Sequence, residues 1–162
     1  QISDSPMSQI RKRTIAGLKR GDCFAVSRTF TEQDTLESAE MTRDYNPVHF
    51  DDRFAKQRFP ARICHGLLVG SLLTEIGGQI GWLASGMNFR FKKPVYFGDT
   101  VECCLTITEL DERNRAKAFA TFKNQLDEIV IEADLTGIIP GLPERRVMET
   151  MPAEGDPTNK LR

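Results

Sequence analysis

The stretch HGLLVGSLLTEIGGQIGW, His65 to Trp82, decides the fold. Leu67, Leu68, Val69, Leu72, Leu73, Ile76 and Ile80 place apolar side chains on most faces of one helix, the pattern of a helix buried on several sides. Gly66, Gly70, Gly77 and Gly78 interrupt it, each costing about 1 kcal/mol relative to alanine inside a helix. Close approach of the helix backbone to a sheet or a ligand would account for them.

Downstream the period changes from helical to two. Met87, Phe89 and Phe91 alternate with polar residues, as do Val101, Cys103, Leu105 and Ile107, so both runs read as half-buried strands. PVYFGD, Pro94 to Asp99, reads as the turn between them, and LDERN, Leu110 to Asn114, as the next turn. Strands over Arg115 to Lys123 and Ile129 to Ile138 follow. Short connections favour antiparallel pairing.

Upstream, CFAVSRTF, Cys23 to Phe30, is rich in strand formers. Thr31 followed by Asp34 is an acidic variant of the capping box, predicting a helix to about Arg43 that the Asn46-Pro47 turn ends. A second short helix is expected from Asp51 to about Arg58, capped by Asp51 or Asp52, with Phe54 and Ala55 inward. The chain divides into an N-terminal arm (1–20), a folded domain (21–140) and a polar, proline-bearing C-terminal tail (141–162). The arm, including Arg11 to Arg13, is expected to be solvated, and the tail to be flexible or ordered only on another subunit.

At 162 residues the chain suits one domain that needs neither disulfide nor metal to fold. Lys+Arg 22 against Asp+Glu 23 argues against nucleic acid as the main partner. Cys23, Cys64, Cys103 and Cys104 form no regular framework, so reduced thiols are expected. With His49 and His65 the only histidines, a three-histidine zinc site is excluded, and no metal is expected. No run of about eighteen apolar residues spans a membrane, and a cytoplasmic location is expected.

One sheet wrapped around the glycine-bearing helix looks like the hot-dog fold, of class α+β, whose free sheet edges are usually resolved by pairing two subunits. RDYNPVHFDDRFAKQRFPARICHGLLVGSLL (43–73) and FRFKKPVYFGDTVE (89–102) resemble the MaoC-like, (R)-specific enoyl-CoA hydratase family. The resemblance runs from about Gly21 to Pro140. Its most specific parts are the Asp-x-Asn-Pro-x-His core at Asp44, Asn46, Pro47 and His49 and the His65-Gly66 pair opening the helix.

This resemblance implies a homodimeric hydro-lyase acting on a coenzyme A or acyl-carrier thioester without a cofactor. It makes Asp44 and His49 the catalytic pair and Gly66 an oxyanion-hole amide. Asn46, Thr74 and Arg43 fall on the substrate side: Asn46 supports the turn, Thr74 matches a site-lining Ser/Thr position, and Arg43, where many members carry glycine, is a contact for a coenzyme A phosphate. Hydration needs a base to take a proton from water as it attacks C3 and an acid to protonate C2, and an imidazole and a carboxylate can share one water. His65 reads as a structural residue at the helix start, Cys64 as a buried thiol, and Trp82 either as a closure of the acyl tunnel or as interface packing. Two other functions stay open: a hot-dog thioesterase with Glu75 activating water, and a non-catalytic acyl-CoA-binding module.

Overall fold

The computed structural model describes residues 7–151. Its elements in chain order are α1 (Gln9–Ala16), β1 (Cys23–Thr29), α2 (Glu32–Thr42), a 3-10 turn at Pro47–His49, α3 (Asp52–Ala55), α4 (Gly66–Gly70), α5 (Leu72–Ile80), β2 (Leu83–Phe91), β3 (Thr100–Leu110), β4 (Arg115–Lys123), β5 (Ile129–Ile138) and α6 (Leu142–Thr150). The five strands form one antiparallel sheet in the order β1-β3-β4-β5-β2. Leu72, Leu73, Ile76 and Ile80 of α5 fill its inner side against Phe24, Val101, Leu105 and Ile107. This is the α+β hot-dog arrangement, and among the described residues no helix is long and apolar enough to cross a membrane.

Local chemistry explains the boundaries. Thr31 accepts the Asp34 N–H while Asp34 accepts the Thr31 N–H, so α2 opens on the expected capping box. Asp51 caps α3 by accepting the N–H groups of Arg53 and Phe54. The buried helix is two pieces: at Ser71 a tight bond from the Thr74 N–H to the Ser71 carbonyl (2.8 Å) separates α4 from α5. A methyl group on Gly66 would lie 2.7 Å from the Phe91 ring, and one on Gly70 3.1 Å from Phe89. Two of the four glycines thus mark the close approach of helix to sheet, whereas Gly78 faces open space.

Several expectations are corrected. Pro94 to Asp99 does not join a hairpin: β2 pairs with β5 and β3 with β1, so this segment crosses from one edge of the sheet to the other half. It passes beside the segment before α4, where the Cys64 N–H donates to Val95 O (2.8 Å) and Ile63 bridges Tyr96. Because β2 is an edge strand, Met87 and Phe91 are exposed, and the strand begins at Leu83, ahead of the alternation. Of the α3 pair, Ala55 is buried but Phe54 is exposed.

The described part of the arm, residues 7–20, is solvated only in part: Lys12 and Arg13 are exposed, but Arg11 is not, and residues 1–6 lie outside the described part. α1 is capped by Ser8 and packs on α5 and α6; Arg11 is buried and donates to the carbonyls of Gln79 (2.6 Å) and Gly78 (3.3 Å) at the C-terminal end of α5. A cation there satisfies terminal carbonyls and the negative end of the helix dipole. The tail is helical as α6 within the same chain, with Met148 buried and Arg145 donating to Ile15 O; residues 152–162 of the expected tail lie outside the described part.

A methyl on Gly137 would overlap Trp82 Nε1 and sit 2.5 Å from Leu83 O. Gly137→Ala should therefore lower stability by about 1–3 kcal/mol, as overpacking does. Gly78→Ala should instead raise it by up to about 1 kcal/mol by removing a helix glycine. Urea unfolding of the two variants reads the opposite signs directly.

Candidate active site

The Asp44 loop, the 3-10 turn and the start of α4 meet because the chain around Ile63 is held on both sides. Its N–H reaches Val48 O, and the next residue is tied to the crossover at Val95. The turn itself is built from side chains. Arg43 ends α2 in the left-handed conformation (φ 60°), Asp44 Oδ1 accepts the Asn46 N–H (3.1 Å), and Asn46 Oδ1 accepts the Val48 N–H (3.1 Å). One oxygen of Asp44 thus stabilises the turn. The other, Oδ2, faces two imidazoles: it lies 3.8 Å from His49 Nε2 and 3.8 Å from His65 Nε2.

Both histidines are buried, while the Asp44 side chain is 49% exposed. His49 Nδ1 lies 2.7 Å from Ile63 O. A carbonyl only accepts, so Nδ1 carries the hydrogen and neutral His49 presents a lone pair at Nε2. Burial lowers the His49 pKa from the ordinary 6.5, and nearby His65 acts in the same direction, against the Ile63 bond and Asp44. Since folded His49 holds its proton less tightly than the unfolded chain does, stability is fully present above pH 6.5 and is lost as pH falls through the lowered folded value.

These side chains border a cavity of about 1100 Å³. Met41, Phe59, Leu67, Phe91, Val95 and Ile131 give it apolar walls, and Gly66 lies on it beside His65. Arg28, paired with Asp34 at 2.6 Å, Glu37, Lys92 and Lys93 supply charge on its border. An apolar chamber with a few convergent polar groups is the usual form of a small-molecule site.

The structure brings Asp44, His49 and Gly66 together on the cavity, but not the residues expected on the substrate side: Asn46 is exposed and holds the turn without bordering the cavity. Thr74 is exposed on α5 with its hydroxyl donating to Ser71 O (2.6 Å), and Arg43 is exposed; neither borders the cavity within the chain. Trp82 packs over Gly137 beyond the far end of α5, away from the cavity. Glu75, the base required by a thioesterase, is also absent from the cavity border. His65 was under-read: it starts α4 but makes no capping bond, and its ring stacks on His49 at 3.9 Å.

Ligand atoms of Asp44, His49 and His65 lie within 4.8 Å of one another, close enough to raise a metal ion. His65 Nε2 already donates to the Asp44 carbonyl (2.9 Å), so this nitrogen, the one facing Asp44 Oδ2, could bind a cation only by losing that bond.

The profile of the MaoC-like domain matches residues 18–129. The chain belongs to the MaoC-like dehydratase family. It is 32% identical over 83% of its length to the mitochondrial 3-hydroxyacyl-[acyl-carrier-protein] dehydratase of Arabidopsis thaliana, covering 84% of that protein. To the (R)-specific enoyl-CoA hydratase of Rhodospirillum rubrum it is 29% identical over 76% of its length, covering 89% of that protein. The solved (R)-hydratase of Aeromonas caviae superposes with a TM-score of 0.72 at 28% identity, over 76% of this chain and 98% of that one.

Cys64 borders the same cavity, and burial pushes its thiol up to about 12. At pH 8 almost none of it is thiolate, the reactive form. Iodoacetamide should label exposed Cys23 in the native protein and reach Cys64 only after unfolding, as resolved by peptide mass spectrometry.

Proposed function

We propose that this protein catalyses the reversible addition of water to a trans-2-enoyl thioester, giving the (R)-3-hydroxyacyl thioester. The observation that carries this reading is the convergence of Asp44 Oδ2 and the bare Nε2 of His49, 3.8 Å apart on the border of an apolar cavity. A water about 2.8 Å from each would be held by both. The hydratases and dehydratases among its relatives support the same chemistry and its stereochemistry.

In this reading His49 Nε2 takes a proton from the water as its oxygen attacks C3. Asp44 accepts the other O–H and stabilises the imidazolium that forms. Negative charge moves onto the thioester oxygen, where the Gly66 N–H at the open start of α4 donates to it. Returning the proton from His49 to C2 collapses the enolate and leaves the catalyst unchanged. One group serving both atoms from one side produces syn addition.

The acyl chain enters the apolar chamber. The carrier is coenzyme A or an acyl-carrier protein, since relatives named for either group are similar to this chain. No cofactor or metal takes part. We also read the protein as a homodimer: the edge strand β2 exposes Leu83, Met87 and Phe91, and its unpaired backbone favours a second copy. Light scattering should give twice the 18.3 kDa chain mass, and a fully active monomer would refute it.

Purified protein should hydrate crotonyl-CoA or a longer enoyl-CoA without added metal, followed by loss of enoyl absorbance; rapid release of free thiol instead would favour a thioesterase. Asp44→Asn and His49→Ala should each lower kcat by at least about a hundredfold without unfolding the chain, and the double variant should be little worse than the poorer single. Wild-type Asp44→Asn activity would put the site elsewhere. With His49 as base, the acid limb of kcat/KM should fall below pH 6.5, because the base form persists down to its lowered pKa.

A further inference from the structure

His65 is 3% exposed, yet the side chain is not spent on the helix it begins. Its Nε2 lies 2.9 Å from the backbone carbonyl of Asp44, twenty-one residues back. That carbonyl can only accept, so Nε2 carries the hydrogen, and in the neutral ring Nδ1 is left as a buried lone pair without a partner among the described residues. The other bonds that hold Asp44 come from its own exposed loop: its N–H to Thr42 Oγ1 (3.3 Å) and its Oδ1 to the Asn46 N–H. The His65 bond ties the Asp44 backbone directly to the buried start of α4.

The same ring lies over His49, with centroids 3.9 Å apart and planes 30° apart. His49 is therefore fixed at one edge by Ile63 O and across its face by His65. We propose that His65 is a positioning residue, which anchors the backbone of Asp44 and sets both the plane and the basicity of His49.

The effect on basicity is direct, since a proton gained by one ring opposes a proton on the other at this separation. The charged groups facing the pair are Asp44 from the loop after α2, Arg28, Asp34 and Glu37 from β1 and α2, and Lys92 and Lys93 from the segment after β2. Asp44 lies within 4 Å of both imidazoles. Removing the His65 ring should therefore let His49 protonate at higher pH.

The proposal rests on the hydration reading for its kinetic part only. Because the chain has two histidines, untagged protein labelled with 15N in the imidazoles gives two ring systems, and substitution of one assigns both. Long-range proton-nitrogen spectra at neutral pH should show the Nε2–H tautomer for His65 and Nδ1–H for His49. In His65→Leu, which removes both donor and ring, His49 should titrate at higher pH, and the acid limb of kcat/KM should move with it. Its kcat should fall at least about tenfold, with KM changed less than about threefold, as expected when a reacting group is misplaced. His65→Gln keeps a donor near the Asp44 carbonyl and should recover most of the kcat while retaining the shifted His49 titration.

A folded His65→Leu with unchanged His49 titration and kcat within about threefold of wild type overturns the proposal, even if its melting temperature drops. If both variants unfold, the wild-type spectrum decides: hydrogen on Nδ1 rather than Nε2 of His65 overturns it. If wild-type protein hydrates no enoyl thioester, the functional reading falls, while tautomer and titration still decide the role of His65.

Discussion

The contact of α4 with the edge strand β2 sets the geometry on which the rest depends. Gly66 and Gly70 let the helix backbone come against Phe91 and Phe89, a distance that any side chain would hold open. From that contact α5 runs on across the sheet to β1 and β3, burying the apolar residues that make the core. The start of the helix is thereby fixed at the rim of the cavity. His65 and Gly66 arrive there together because they are neighbours in the chain at the point where the helix begins.

A second constraint makes the site local. The crossover between β2 and β3 holds Cys64 by its backbone, and Ile63 in turn donates its N–H to Val48 O and accepts the Nδ1–H of His49 at its carbonyl. Asp44, His49 and Gly66 do not sit on the sheet. They are held by a short ladder of backbone bonds on its inner side, with one Asp44 carboxylate oxygen committed to its turn and the other facing the two imidazoles. This division lets one Asp44 carboxylate stabilise its turn and still face both imidazoles.

Much of this was legible because it was written in short-range signals. The Thr31/Asp34 capping box, the Asp51 cap, and the limits of β4 and β5 follow from caps and alternation within a few residues. The Asp44, Asn46 and His49 motif was legible for the same reason. What was missed depends on distant partners. Pro94 to Asp99 has turn chemistry whether it closes a hairpin or crosses the sheet, and only the pairing of β2 with β5 distinguishes them. Arg11 looked like a solvated cation because its acceptors, Gly78 and Gln79, lie in another helix. His65 was undervalued since nothing near it in sequence announces a bond to Asp44 or a ring face on His49.

Arg11 has a consequence for where this protein can be cut. The family profile begins at residue 18 and ends at 129, which would discard α1, nearly all of β5 and α6. Yet α1 closes the C-terminal end of the central helix, α6 packs on α1, and β5 is the neighbour of both β4 and β2. The matched residues are thus fewer than those packed into the fold. A module moved by fusion or recombination has to carry α1, β5 and α6 with it, because these elements close the fold.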